Sequence, residues 1–147
     1  MKFRPAFSIV EIVLVIGLVA VFVAPFMVSV SGFRSRHALK SSGENLANAF
    51  RIVKVYAREE KDEMSWGVRY VNSKSYSIIS GQPASFTISA TYLLDKPVEF
   101  TSSFGDIWFL QSKGETDKDY TITLGISGGV TGEVEISKVG VVKYIGP

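Results

Sequence analysis

From Ile12 to Val30 the chain carries no charged residue, and this stretch limits what it can fold into more than any other feature. A helix needs roughly 20 apolar residues to cross a bilayer, and the run matches that length. A secretory signal has a shorter apolar core followed by a small-residue cut site. Here Val28-Ser29-Val30-Ser31 fits such a site only in part. Lys2 and Arg4 precede the run, and a basic head of that kind holds an N-terminus in the cytoplasm. Arg34, Arg36 and Lys40 follow it, so charge bias alone orients the segment modestly. The expectation is a single membrane pass with the bulk of the chain outside the cytoplasm.

One carboxylate, Glu11, sits at the start of this segment. At the centre of a bilayer helix it would cost about 2.5–3.5 kcal/mol on insertion scales, and less near an end. Two readings are open. Glu11 lies at headgroup level and is merely tolerated, or it awaits a positive partner from another chain. Pro25 removes a helical hydrogen bond and clashes with the carbonyl of Val21; with Gly17 it marks the weak points of the segment. In lipid such a break survives where neighbouring groups satisfy the freed backbone, and a simple kink accounts for it.

The residues around Glu11 carry a resemblance. Ala6-Phe7-Ser8-Ile9-Val10-Glu11, after a short basic leader and before a long apolar run, resembles the class III signal of type IV pilins and type II secretion pseudopilins. That signal runs small residue, Phe, Thr or Ser, two aliphatics and Glu. Phe7 to Glu11 match it residue for residue, while Ala6 stands where Gly is usual. The resemblance implies a leader of residues 1–6, cut between Ala6 and Phe7 by a prepilin peptidase that also N-methylates Phe7. Residues 7–31 would then be kept, first as a transmembrane helix and later as filament core. It also implies a partner for Glu11 in subunit assembly: the terminal amine of a neighbouring subunit. At about 4 Å and an effective dielectric near 20 such a pair attracts by roughly 4 kcal/mol before desolvation. Helix breakers are common in this part of pilin-like helices, which would let Gly17 and Pro25 bend or melt locally during assembly.

Beyond Gly32 the pattern becomes amphipathic over residues 32–63. Leu39, Gly43, Leu46, Phe50, Val53 and Ala57 recur at helical spacing, widened by Ile52 and Tyr56. Lys40, Glu44, Asn48, Arg51, Lys54 and Arg58 take the other face. The acidic run after Arg58 predicts a helix end, because carboxylates are unfavourable at a helix C-terminus. Ser41-Ser42-Gly43 reads as the weakest point of this helix.

Residues 64–147 read as strand. Strands are expected over Trp66–Tyr70, Tyr76–Ile79, Phe86–Tyr92, Val98–Thr101, Ile107–Gln111, Tyr120–Gly125, Glu133–Ser137 and Val141–Ile145. With no interleaved helices they imply an antiparallel sheet, one face covered by the N-terminal helix. The fold class is therefore α+β: a long N-terminal helix, half membrane-spanning and half amphipathic, packed on an antiparallel β head. Pilin-like proteins share this layout. Trp66-Gly67-Val68 and the tail from Ile122 to Val142 loosely resemble the minor pseudopilins of the H class, the FimT-like group.

Little in the sequence suggests catalysis. The absence of cysteine excludes disulfides, thiolate-bound metal and a Cys nucleophile. The single histidine, His37, lies among Arg34, Arg36 and Lys40, far from any candidate triad. Gly125, Gly128, Gly129 and Gly132 match no phosphate-binding fingerprint, so no cofactor is expected. Glu115, Asp117 and Asp119 alternate between two strands and are the candidates for a calcium loop, though Lys113 and Lys118 dilute them. A net charge of +2, with both signs dispersed, argues against a DNA-binding surface.

The expected function is structural: a minor subunit of a type IV pilus-like or type II secretion pseudopilus filament, without catalysis of its own. Its partners would be the prepilin peptidase, other pilin or pseudopilin subunits, membrane lipid before assembly, and a membrane platform driven by an ATPase. Its location would be the bacterial inner membrane and then the filament. The alternative is a permanently anchored single-pass protein whose β-rich head binds a ligand or DNA.

Overall fold

A computed structural model describes residues 8–147, with the backbone alone for residues 23–31. The expected leader and the Ala6–Phe7 bond lie outside the described residues, as do the surroundings of Pro25. The chain divides into two compact units, one ending at Arg34 and the other spanning Ser35–Pro147.

A single helical element, α1, covers Ile9–Arg58. In the first unit its described side chains, Glu11 and Arg34 apart, are apolar or glycine and exposed on every side, from Ile9 at 80 % to Phe22 at 62 %. Among the described residues no helix is long and apolar enough to cross a membrane, and the expected span runs on into residues 23–31.

In the second unit α1 is amphipathic as the periodicity predicts. Leu39, Leu46, Phe50, Val53 and Ala57 are fully buried. Ile52, expected to widen this face, is instead 45 % exposed, and Ala47 and Ala49 are buried in its place. Ser41-Ser42-Gly43 does not interrupt the helix. Both inner residues of the triplet are put to use in packing: the Ser42 hydroxyl accepts from the Asp95 amide at 2.9 Å, and Gly43 lies against the Tyr144 ring.

The helix stops at Arg58, where the acidic run begins. Glu60, Asp62 and Glu63 all take positive φ (53°, 59° and 55°) and turn the chain through a short 3-10 segment, Lys61–Glu63. The Lys61 ammonium lies 3.9 Å from the Tyr56 ring centroid and 5.3 Å from that of Trp66. Trp66 Nε1 donates to the Lys61 carbonyl at 3.1 Å, and the Ser112 amide donates to the Ala57 carbonyl at 3.0 Å, satisfying an orphan acceptor of the last turn.

Eight strands follow: β1 Ser65–Asn72, β2 Ser75–Gln82, β3 Ser85–Leu93, β4 Glu99–Phe100, β5 Ile107–Phe109, β6 Tyr120–Gly125, β7 Thr131–Ile136 and β8 Val142–Ile145. They do not form the one sheet that the sequence suggests. They make two four-stranded antiparallel sheets, ordered β3-β2-β1-β5 and β4-β6-β7-β8. The division arises because β5 returns to pair with β1, Trp66 opposite Phe109, while β4 pairs with β6.

One core joins helix and sheets. It gathers Phe50 and Val53 with Val68, Ile107 and Phe109 of the first sheet and Ile122, Leu124, Val134 and Ile136 of the second. Full burial of each such side chain stabilises by about 1.5–3 kcal/mol, which makes this cluster the main source of the unit's stability. Alternation is clean in β6 and β7, whereas β2 is buried on both faces from Ser75 to Ser80. Its hydroxyls are satisfied sideways, Ser77 to Thr91 at 2.7 Å and Ser80 to Ser89 at 3.1 Å.

Candidate functional site

The start of α1 is the candidate site, and Ser8 builds it. Its hydroxyl accepts from the Val10 amide at 3.3 Å, and its carbonyl accepts from the amides of Glu11 and Ile12 at 3.0 and 3.2 Å. Ser8 is therefore the N-cap of the helix, and Glu11 occupies the third helical position. The Ser-x-x-Glu spacing ahead of an apolar run is a helix-start signature that the sequence reading passed over. Glu11 thus has a local rationale, since the helix dipole favours a carboxylate in the first turn.

What the dipole does not explain is the company Glu11 keeps. It is exposed, and it is the only charged residue from Ser8 to Phe22. Ile9, Val10, Val13, Leu14, Leu18, Val21 and their neighbours expose apolar surface around the whole circumference of the helix. A helix apolar on every side is stable only inside something else, either a membrane or a bundle. Gly17 lies within this stretch, with open space where a Cβ would stand.

The other candidates do not assemble into a centre. Asp117 accepts from the Tyr120 hydroxyl at 2.6 Å, which holds its carboxyl below the usual range, while Asp119 accepts from the Lys138 amide at 2.6 Å. Burial, with the hydrogen bond to Asp117, pushes the Tyr120 phenol up to about 12. Glu115 takes part through its backbone carbonyl, which accepts from Leu110 at 2.7 Å. The three acids are thus not brought together, and no group of three metal-ligating side chains occurs among the described residues.

His37 is exposed on α1. The basic residues of the amphipathic helix are dispersed: Arg51 is held by Asn48 at 2.7 Å and the Val142 carbonyl at 3.2 Å, and Lys40 faces Glu44 at 3.9 Å. A groove of about 510 Å³ runs past Lys74, Pro97, Phe100, Thr101 and Ile126; Lys74 pairs with Glu99 at 2.9 Å on its wall, and no histidine lines it.

On the face of the first sheet away from the helix, Arg69 forms a two-pronged pair with Asp106 at 2.7 and 2.6 Å. Its guanidinium lies 3.8 Å from the Phe86 ring centroid, and Phe86 is 6.5 Å from Trp108. Sequence reasoning missed this group, because Arg69, Phe86 and Asp106 meet only through strand pairing.

No protein-family model matches the chain, and no curated protein matches it in sequence. Solved structures do. The minor pseudopilin EpsH of the type 2 secretion system of Vibrio cholerae aligns at a TM-score of 0.59 and 12 % identity, over 74 % of this chain and 97 % of that one. A second structure of EpsH aligns at 0.61 and 11 %, over 77 % and 96 %. The chain therefore shares the α+β fold of that minor pseudopilin.

Proposed function

We propose that this chain is a minor subunit of a pseudopilus of the type II secretion kind, with a structural and not a catalytic role. The observation that carries the reading is the start of α1: a helix apolar on every side, capped by Ser8 and bearing one carboxylate at Glu11. The pilin-like fold shared with EpsH supports it, since EpsH is itself a minor pseudopilin of a secretion system. Residues 7–31 cross the inner membrane before assembly, with residues 32–147 outside the cytoplasm. Prepilin peptidase removes residues 1–6 and methylates Phe7, and an ATPase-driven platform then moves the subunit from lipid into the filament.

Glu11 is the assembly residue in this reading. Cleavage after Ala6 frees the Phe7 α-amino group, a cation at neutral pH, and the Glu11 of one subunit meets the Phe7 amine of the next. The apolar circumference lets the helix pass from lipid to a helical bundle without exposing new surface to water. The test is mass spectrometry of the protein from its own host, where the N-terminus should be methylated Phe7. An intact Met1 would sink the filament reading and leave a permanently anchored protein with a binding head.

A further inference from the structure

We propose that β3 is a strand-addition site, at which an extended, uncharged segment of another protein pairs with its open edge and continues the first sheet. The inference stands apart from the filament reading and rests on the second unit alone.

β3 is the outermost strand of the order β3-β2-β1-β5, so its far edge has no partner strand among the described residues. Such an edge presents a row of backbone N–H and C=O groups that only water or another extended backbone can satisfy in full. Native proteins blunt it with charge, proline or brevity. The other edges here follow that rule: β4 has two residues, β5 has three, and β8 has four including Lys143. β3 does not. Its nine residues, Ser-Phe-Thr-Ile-Ser-Ala-Thr-Tyr-Leu, contain neither charge nor proline.

A bulge decides which chemistry this edge displays. Ala90 pairs with Ile78 and Ile88 with Ile79, leaving Ser89 as the extra residue. The insertion reverses the alternation, so Phe86, Ile88 and Thr91 share the face away from α1. Leu93 is 80 % exposed and Ile88 54 %. The row is continuous with the Arg69–Phe86–Trp108 group, an aromatic and arginine composition typical of interface anchors. On the helix side a groove of about 360 Å³ opens beside Tyr92 and Leu93, with Ala49, Ile52, Tyr76 and Ile78 as its apolar lining and Asn45 and Asn48 as its polar lining. An added strand finds backbone partners along the edge and apolar neighbours on both faces. The segment this fits is uncharged and rich in apolar and hydroxyl side chains at alternating positions.

The test uses the full chain in detergent micelles, with a synthetic peptide of the chain's own Ser85–Leu93 sequence flanked by lysines as the probe. Amide hydrogen exchange reads the outcome. Saturating peptide should slow exchange within Ser85–Leu93 by about tenfold or more and leave the amides of β6 and β7 unchanged. Thr87→Lys and, separately, Ile88→Lys should abolish the slowing while preserving the circular dichroism of the parent; either variant suffices if the other fails to fold. A peptide of the same composition carrying alternate prolines should have no effect. No slowing in β3, equal slowing by the proline peptide, or slowing confined to the exposed start of α1 would each overturn the proposal.

Discussion

The Tyr144 ring lies so close to the backbone of Gly43 that a methyl group on Gly43 would overlap it. The same ring crowds Gly132 and Gly146, and its hydroxyl donates to the Leu39 carbonyl at 3.4 Å. Helix propensity alone predicts that Gly43→Ala gains up to about 1 kcal/mol. The contact reverses the sign: Gly43→Ala should destabilise the chain by roughly 1–3 kcal/mol through overpacking. Chemical unfolding should also show that Tyr144→Leu relieves most of this loss in the double variant. A neutral or stabilising Gly43→Ala would contradict the packing described.

The Arg69–Asp106 pair is half-buried, with side-chain exposures of 32 % and 26 %, and its two hydrogen bonds fix the guanidinium over Phe86. Asp106→Ala should cost about 1–3 kcal/mol, because it leaves the arginine unpaired at a partly desolvated site. A double-mutant cycle with Arg69→Met should return a positive coupling that persists in moderate salt. The fluorescence of Trp108 should shift in Asp106→Ala as the Arg69–Phe86 stack loosens.

What was legible in the sequence was local. The face Leu39–Leu46–Phe50–Val53–Ala57, the helix end at Arg58 and all eight strands follow from spacing and punctuation, which depend on near neighbours. Strand lengths were less so: Val98–Thr101 shrinks to Glu99–Phe100, and Ile107–Gln111 stops at Phe109. The division into two sheets was not legible, because the return of β5 to β1 joins residues about forty positions apart. Ser41-Ser42-Gly43 misled for the same reason: helix propensity disfavours it, and only Asp95 and Tyr144, both distant in sequence, show why it stays helical. At the candidate site the Ser8–Glu11 spacing is legible as a helix start, but a carboxylate at the edge of an apolar run reads first as a charge in lipid, and only the Ser8 cap shows its local role.

The Tyr76 ring is buried and stacked on Tyr92, 5.4 Å between centroids. Burial, with the neighbouring Tyr92, pushes its phenol up to about 12. The folded state therefore holds the proton more tightly than the unfolded chain, whose tyrosines titrate near 10. The associated stability is fully present below about pH 10 and is lost as pH rises towards about 12. Tyr76→Phe should flatten part of this alkaline loss, and Tyr120→Phe a further part, as read by unfolding midpoints between pH 9 and about 12. An unchanged slope in Tyr76→Phe would show that the phenol titrates as freely when folded as when unfolded.

Ser8 and Glu11 can be told apart by what their loss leaves intact. Ser8→Ala removes a cap and should weaken the helix start by about 1 kcal/mol, an effect confined to amide exchange over the first turn. Because the carboxylate remains, filament incorporation should persist at close to the parental level. Glu11→Gln keeps the shape of the side chain and one acceptor oxygen, replaces the other oxygen with a donor and removes the charge. If the carboxylate does no more than favour the helix dipole, Glu11→Gln should resemble Ser8→Ala, with a small local loss and normal incorporation. If it meets the Phe7 amine of the next subunit, Glu11→Gln should be processed normally yet accumulate in the membrane, with incorporation reduced at least about tenfold. Fractionation of filaments and membranes from cells expressing each variant decides between the two, and equal incorporation of Ser8→Ala and Glu11→Gln would remove the assembly role from Glu11.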